Sequence, residues 1–241
     1  MDELKKIGTC FVHPHTLFYQ VEQILKKVGA EDFFKSPEES VKKAREGFAA
    51  YFFILAMKVY TKRDWWLAQP DQSDRAYPDF DFISFSENPE DLKMEPVELV
   101  GIYPHFNSFD QVVEVIENKK RKYGVQPVKF SLLIFVNHEK SEDWIENLKT
   151  LIITEAPFIS IWTIHLKFKP GGEEVHFAIA QKIVPKPQLR IEANMYDPSI
   201  NKKQPMPSSM EERINNGLTY ITFKQEFIDK VKKYNDAKKR L

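Results

Sequence analysis

Three consecutive pieces decide the fold: Y-P-D-F-D-F-I-S-F (77–85), P-V-E-L-V-G-I-Y-P-H-F (96–106) and S-F-D-Q-V-V-E-V-I-E-N-K-K-R-K-Y-G (108–124). Phe80, then Phe82 or Ile83, then Phe85 predict a short strand that ends in the polar run S-E-N-P-E-D. Val97, Leu99 and Ile102 predict a second strand with Glu98 inside it. Ser108 followed three residues later by Gln111 is a capping box. The helix it opens has an apolar line through Phe109, Val112 or Val113, Ile116 and Tyr123, so its lysines fall on, or just beside, the face that packs on a sheet. Asp79 and Asp81, two residues apart in extended chain, point to one side. Strand-borne carboxylates that converge on one point suit a hard divalent cation, Mg²⁺ or Mn²⁺. An acid among apolar strand residues, as Glu98 is, needs a partner or a cation to offset its desolvation. The bland alternative is an edge-strand glutamate facing water.

Pro78-Asp79 and Glu98, which follows nineteen residues after Asp79 on the next strand, resemble the motif of the PD-(D/E)xK nuclease superfamily, the restriction-endonuclease-like fold. The resemblance covers roughly residues 37–136. It implies an αβββαβ core, a Mg²⁺ (or Mn²⁺) ion bound by Asp79, Glu98 and the backbone carbonyl of Leu99, and a lysine acting at the phosphate. Val100 stands where that lysine is usual, two residues after Glu98. Some branches carry it on the following helix, which makes Lys119 and Lys120 the candidates, beside Lys122. In some members an acid on the preceding helix joins the site; Glu39 and Glu46 stand on that helix here.

Composition sets the limits. The chain has 241 residues, 42% hydrophobic and 13% aromatic, enough to build a core. Thirty-five basic and thirty-five acidic residues cancel, which argues against a nucleic-acid coat protein while leaving room for a local basic cleft. Cys10 is the only cysteine, so neither an intramolecular disulfide nor a cysteine zinc site forms. No Walker or dinucleotide fingerprint is present. The polar N-terminus and the short apolar run at 48–60 predict a cytoplasmic protein without a membrane span.

Elsewhere, Leu17, Val21, Ile24, Leu25 and Val28 predict a helix that stops at Gly29. Ser36-Pro37-Glu38-Glu39 predicts the start of a second, with Val41, Ala44, Phe48, Phe52, Leu55 and Val59 as its buried face to about Tyr60. His13 and His15 read as a loop rather than a metal pair. Residues 63–76 read as a polar connection in which one tryptophan of the pair Trp65 and Trp66 packs under the sheet, with base stacking as the rarer fate and with Asp71 and Asp74 as neighbours of the first acid or turn formers. K-F-S-L-L-I-F-V (129–136) predicts a central strand covered on both faces. Ser141 opens a helix through Trp144, Ile145, Leu148, Leu151 and Ile152. Residues 159–168 and 175–184 predict a hairpin around Gly171-Gly172, with His165 and His176 on opposite arms as structural or exposed residues. Residues 185–210 read as a long surface connection, and Thr222 with Gln225 as the cap of a last helix with a basic tail.

The expected fold is α/β: a mixed central sheet flanked by helices, a restriction-endonuclease-like core with a C-terminal hairpin and helix. Residues 1–184 are read as the nuclease-like domain, with its core at about 37–136, and 185–241 as an extended connection and helix. The expected function is metal-dependent phosphodiester hydrolysis of DNA or RNA. The rival is an inactive nuclease-like domain that binds nucleic acid or protein.

Overall fold

The computed structural model describes residues 10–69, 80–84, 91–103, 105–123, 130–137, 141–150, 158–168, 175–184, 188–201, 205–215 and 218–238. The strands are β1 (Cys10–Val12), β2 (Trp65–Gln69), β3 (Phe80–Ser84), β4 (Lys93–Ile102), β5 (Ser131–Val136), β6 (Ile161–Phe168), β7 (Val175–Val184), β8 (Leu189–Asn194), β9 (Met210–Asn215) and β10 (Leu218–Phe223). The helices are α1 (Pro14–Val28), α2 (Ala30–Lys35), α3 (Glu39–Thr61), α4 (Phe109–Tyr123), α5 (Ser141–Thr150), α6 (Pro198–Asn201) and α7 (Gln225–Lys238). The described strands form one sheet in the order β8-β7-β6-β5-β4-β3-β2-β1-β10-β9. Only β4–β5 and β5–β6 are parallel; every other neighbour is antiparallel. The fold is mixed α/β.

Alternation along β4 builds two cores. Val97 and Leu99 join Leu133, Phe135, Trp162 and Ile164 under α3. Val100 and Ile102 join Leu132, Ile134 and Val136 under α4 and α5. β5 is buried at all six positions because both its faces are covered, which is why it reads as an unbroken apolar run. α3 is buried almost all round from Phe48 to Met57, so its sequence is apolar on every side there. Gly47 lets α1 approach: a Cβ at that position would sit 3.0 Å from Leu17 Cδ1 and 3.3 Å from Val21 Cγ2. α7 closes the sheet's other end, packing Phe227 and Val231 on Phe11, Trp66 and Met210.

Several element boundaries differ from expectation. Trp65–Gln69 is a strand, not part of a polar connection, and both Trp65 and Trp66 are buried where the sequence suggests one. Residues 185–210 are not one surface connection: β8 pairs with β7 along six positions and α6 follows. β9 and β10 then pair with each other, and β10 also with β1, so residues 189–223 supply three strands of the sheet. Thr222 lies in β10 rather than capping the last helix. Ser36 accepts from the Glu38 amide (3.2 Å), one turn ahead of a helix whose N-cap is Glu38 itself. α1 begins at Pro14 and ends at Gly29, whose φ of 84° is the backbone state that glycine adopts without a Cβ clash. Gln111 Oε1 accepts from the amides of Asn107 (2.7 Å) and Ser108 (3.3 Å), the back-bond expected of that capping box. β6 and β7 pair as the predicted hairpin arms; Gly171-Gly172, Leu151 and Ile152 lie outside the described residues.

Candidate functional site

Glu98 sits in the middle of β4 with its side chain on the α4 face, and it is fully buried. Lys119 and Lys122, both on α4, reach its Oε1: Lys119 Nζ directly, and Lys122 Nζ at 3.2 Å. Tyr123 donates its hydroxyl to Oε2 at 2.6 Å. The carboxylate therefore has charge compensation on one oxygen and a neutral donor on the other, as a buried acid requires. Helix geometry explains which lysines arrive. At about 100° per residue, Val112, Ile116, Lys119 and Tyr123 fall within about 60° of one another on the sheet-facing side. Lys120 and Lys122 fall on opposite flanks of that line. Lys122 is on the flank toward Glu98, and its side chain is 45% exposed. Lys120 pairs instead with Glu117 on its own helix, at 2.8 Å.

Other candidates distribute as follows. Asp79, Asp71 and Asp74 lie outside the described residues, and of Asp81 only the backbone, in β3, is described. The residue after Asp79, Phe80, pairs with the residue before Glu98, Val97, in the antiparallel β3–β4 ladder. Leu99 turns its side chain to the α3 core, and its backbone runs opposite Leu133 in the parallel ladder. Val100, at the superfamily's usual lysine position, is buried in the α4 core. Glu39 is exposed on α3 near Lys42. His13 caps α1 through Nδ1, which accepts from the His15 amide at 3.2 Å, so this pair begins a helix rather than a loop. His165 is 1% exposed, and among the described residues neither ring nitrogen has a hydrogen-bond partner; burial lowers its pKa to about 4. His176 packs its ring on Phe177 and Tyr196. Among the described residues, no three His, Cys, Asp or Glu side chains gather as a metal-ligand group. Nor is any described helix long and apolar enough to cross a membrane.

β4 carries a second acid, one without a motif around it in the sequence. Glu95 lies three residues before Glu98 and so faces the other side, toward α3. Its Oε1 accepts from Ser131 Oγ (2.8 Å); Ser131 Oγ is 2.5 Å from Ser160 Oγ, which accepts from Trp162 Nε1 (2.9 Å). Burial raises its pKa, opposed by the Ser131 hydrogen bond and the charge of Lys182. The one signal available in the sequence was the acid itself, set in K-M-E-P, a context that reads as loop.

No protein-family model, curated protein or solved structure matches this chain.

Proposed function

We propose that the chain is a divergent metal-dependent phosphodiesterase of the PD-(D/E)xK type, acting on DNA or RNA. The observation that carries this reading is the ammonium of Lys119 on the Glu98 carboxylate, delivered by the helix that follows the acid's strand. That is the arrangement a migrated lysine requires. Two further features support it: the order α3-β2-β3-β4-α4-β5, which matches an αβββαβ core, and the β3–β4 register, which pairs the immediate neighbours of Asp79 and Glu98.

The chemistry at Glu98 suits a hard cation: a buried carboxylate whose charge is already compensated by ammonium groups. Mg²⁺ or Mn²⁺ held by Asp79 and Glu98, with the Leu99 carbonyl as the backbone ligand the superfamily implies, would polarise the phosphate and lower the pKa of an attacking water. The chain's own groups do the rest. Tyr123 fixes Oε2 and so sets the orientation of the carboxylate. Lys119, whose ammonium lies on Glu98 Oε1, would supply positive charge where the phosphoryl oxygens gain negative charge. Lys122, half in solvent, meets the nucleic-acid backbone.

A second reading has its own observation. Glu98 is fully buried with both oxygens engaged, and the usual lysine position is a buried valine, so a nuclease-like domain that binds nucleic acid or protein without cleaving is the alternative. Calorimetric titration with Mn²⁺, paired with a cleavage screen over DNA and RNA, separates the two. The proposed activity requires metal binding that Asp79→Ala and Glu98→Gln each abolish, together with cleavage lost in both. A folded wild type that binds no Mn²⁺ and cleaves nothing, yet binds nucleic acid with steep salt dependence and no response to Mg²⁺, selects the module. Full cleavage by either variant removes the assignment.

A further inference from the structure

On the face of the sheet opposite Glu98, a cavity of about 520 Å³ opens where the C-terminal end of α3 passes over β4, β6 and β7. Its lining brings Arg63, Lys93 and Lys182 together with Glu95, Ser160 and Trp162. The volume falls within the range of about 300–1,000 Å³ typical of small-molecule sites. We propose that this cavity is a binding site for a nucleoside monophosphate group, either a free mononucleotide or the terminal nucleotide of a strand.

The charge of the lining selects the ligand's anionic end. Among the described lining residues three cations face one carboxyl group, so these residues carry two positive charges that Glu95 cannot neutralise even when ionised. A phosphate monoester carries about −1.5 to −2 at neutral pH, which matches that surplus. Lys93 is exposed at the mouth, and Arg63, part-exposed, is steadied by a bond from Nη1 to the Asp91 carbonyl (3.0 Å), so both can meet a phosphate that stays partly in water. The inner wall selects the other end. Met57, Trp65 and Trp162 make it apolar and flat-sided, suited to an aromatic body. At its polar end the carboxyl of Glu95 is held by Ser131, whose hydroxyl meets Ser160, and Ser160 is in turn fixed by Trp162 Nε1. A carboxyl oxygen anchored in this way presents a directed hydrogen-bond partner to the N–H edge of a base. The combination of aromatic body, polar edge and dianion is that of a nucleotide.

The site does not depend on the assignment at Glu98, which faces the other side of β4. Two of the chain's four tryptophans, Trp65 and Trp162, line the cavity, so intrinsic fluorescence reports on its occupancy. The full chain is titrated with the four ribonucleoside monophosphates, the matching nucleosides, inorganic phosphate, and short oligonucleotides with and without a 5′-phosphate. The proposal expects saturable binding of at least one mononucleotide, with its nucleoside and inorganic phosphate each weaker by about tenfold or more. Lys93→Glu, a change at an exposed position that leaves the core untouched, should weaken the mononucleotide by at least about tenfold. Lys26→Ala, at an exposed position on α1 that lines neither site, should leave it unchanged. Glu95→Gln should alter the preference among the four bases. Oligonucleotides that bind only with a 5′-phosphate identify a strand end as the ligand, and mononucleotide binding alone identifies the free nucleotide. Inorganic phosphate as tight as any nucleotide, affinity unmoved by Lys93→Glu, or no binding up to millimolar concentration would overturn the proposal.

Discussion

Glu98→Ala is expected to destabilise the fold, whatever the site catalyses. The substitution removes a fully buried carboxylate that receives two ammonium groups and a phenol. Breaking a buried ion pair by deleting one partner costs about 3–5 kcal/mol, because the surviving charge stays desolvated. Here the survivors have partial relief: the Lys119 and Lys122 side chains are 25% and 45% exposed, so both can turn toward water. Tyr123 lacks that freedom, since its ring packs edge-on to Phe130 and Phe158. The expected loss is therefore at the lower end, about 3 kcal/mol. Lys119→Met should lose less, about 1–2 kcal/mol, because Glu98 keeps Lys122 and Tyr123. Urea unfolding followed by tryptophan fluorescence reads the difference. With an m-value near the upper end of about 1–3 kcal/mol per molar, Glu98→Ala should lower the midpoint by about 1 M. A midpoint unchanged or raised would refute the reasoning: it would mean that the acid is held against its own desolvation and that its partners contribute nothing. Deleting the carboxylate therefore disturbs the fold along with the site. For that reason the functional test pairs Asp79→Ala with the isosteric Glu98→Gln.

Three further predictions follow from the same geometry. His165 is depressed in the folded state to about 4 from its usual 6.5 by burial, beside Arg190 and Glu192 of β8, Glu142 of α5 and Lys167 of its own strand. The unfolded chain therefore takes up the proton first as pH falls; the stabilisation is complete above about 6.5 and is lost between there and 4, by about 3 kcal/mol, and His165→Leu should abolish that slope in unfolding measurements. Gly101→Ala would place its Cβ inside the ring of Tyr103, which packs against Phe34 and Phe135 and under Arg45, so it should cost about 1–3 kcal/mol by thermal denaturation. Arg45→Met should destabilise by a similar amount, about 1–3 kcal/mol, because Arg45 Nη1 alone donates to the Phe33 (2.7 Å) and Ser36 (2.8 Å) carbonyls and so ties the end of α2 to α3.

Where one face of an element is buried and the other is not, its period is plain, and such elements were legible. α1 and α4 declare themselves by helical spacing, β5 by an unbroken apolar run, and α4's start by a serine and a glutamine at capping distance. β2 was not legible. Its five residues follow a lysine-arginine-aspartate turn, and two tryptophans carry no signal for strand over loop at that length. β8 alternates buried and exposed residues at 191–194, a strand pattern masked by the prolines around it. Lys119 could be narrowed to a pair with Lys120 but not chosen, because the choice depends on which flank of α4 lies over Glu98. The cavity at Glu95 was out of reach for a different reason. Lys93, Glu95, Ser160, Trp162 and Lys182 come from three strands and the approach to one of them, far apart in sequence, and only the sheet order brings them side by side.

β4 thus carries two acids three residues apart, Glu98 fully buried and Glu95 partly buried, and the strand's two-residue period sends them to opposite faces with opposite solutions. Glu98 is met by formal positive charge, and every element of that solution comes from one helix laid across it. Glu95 is met first by hydroxyl groups, with Lys182 adding charge, and burial pushes its pKa upward. On the function proposed above, a divalent cation would replace an ammonium group at Glu98. An acid held by hydroxyls and biased toward its protonated form is prepared to donate or accept a single hydrogen bond, the property that discriminates among bases. The two sites share a strand but no side chain. A substitution that changes charge at Lys119 or Lys122 therefore acts on one chemistry, and one at Lys93 or Lys182 on the other. The physical separation of the two faces, rather than any similarity between the acids, makes both assignments independently testable.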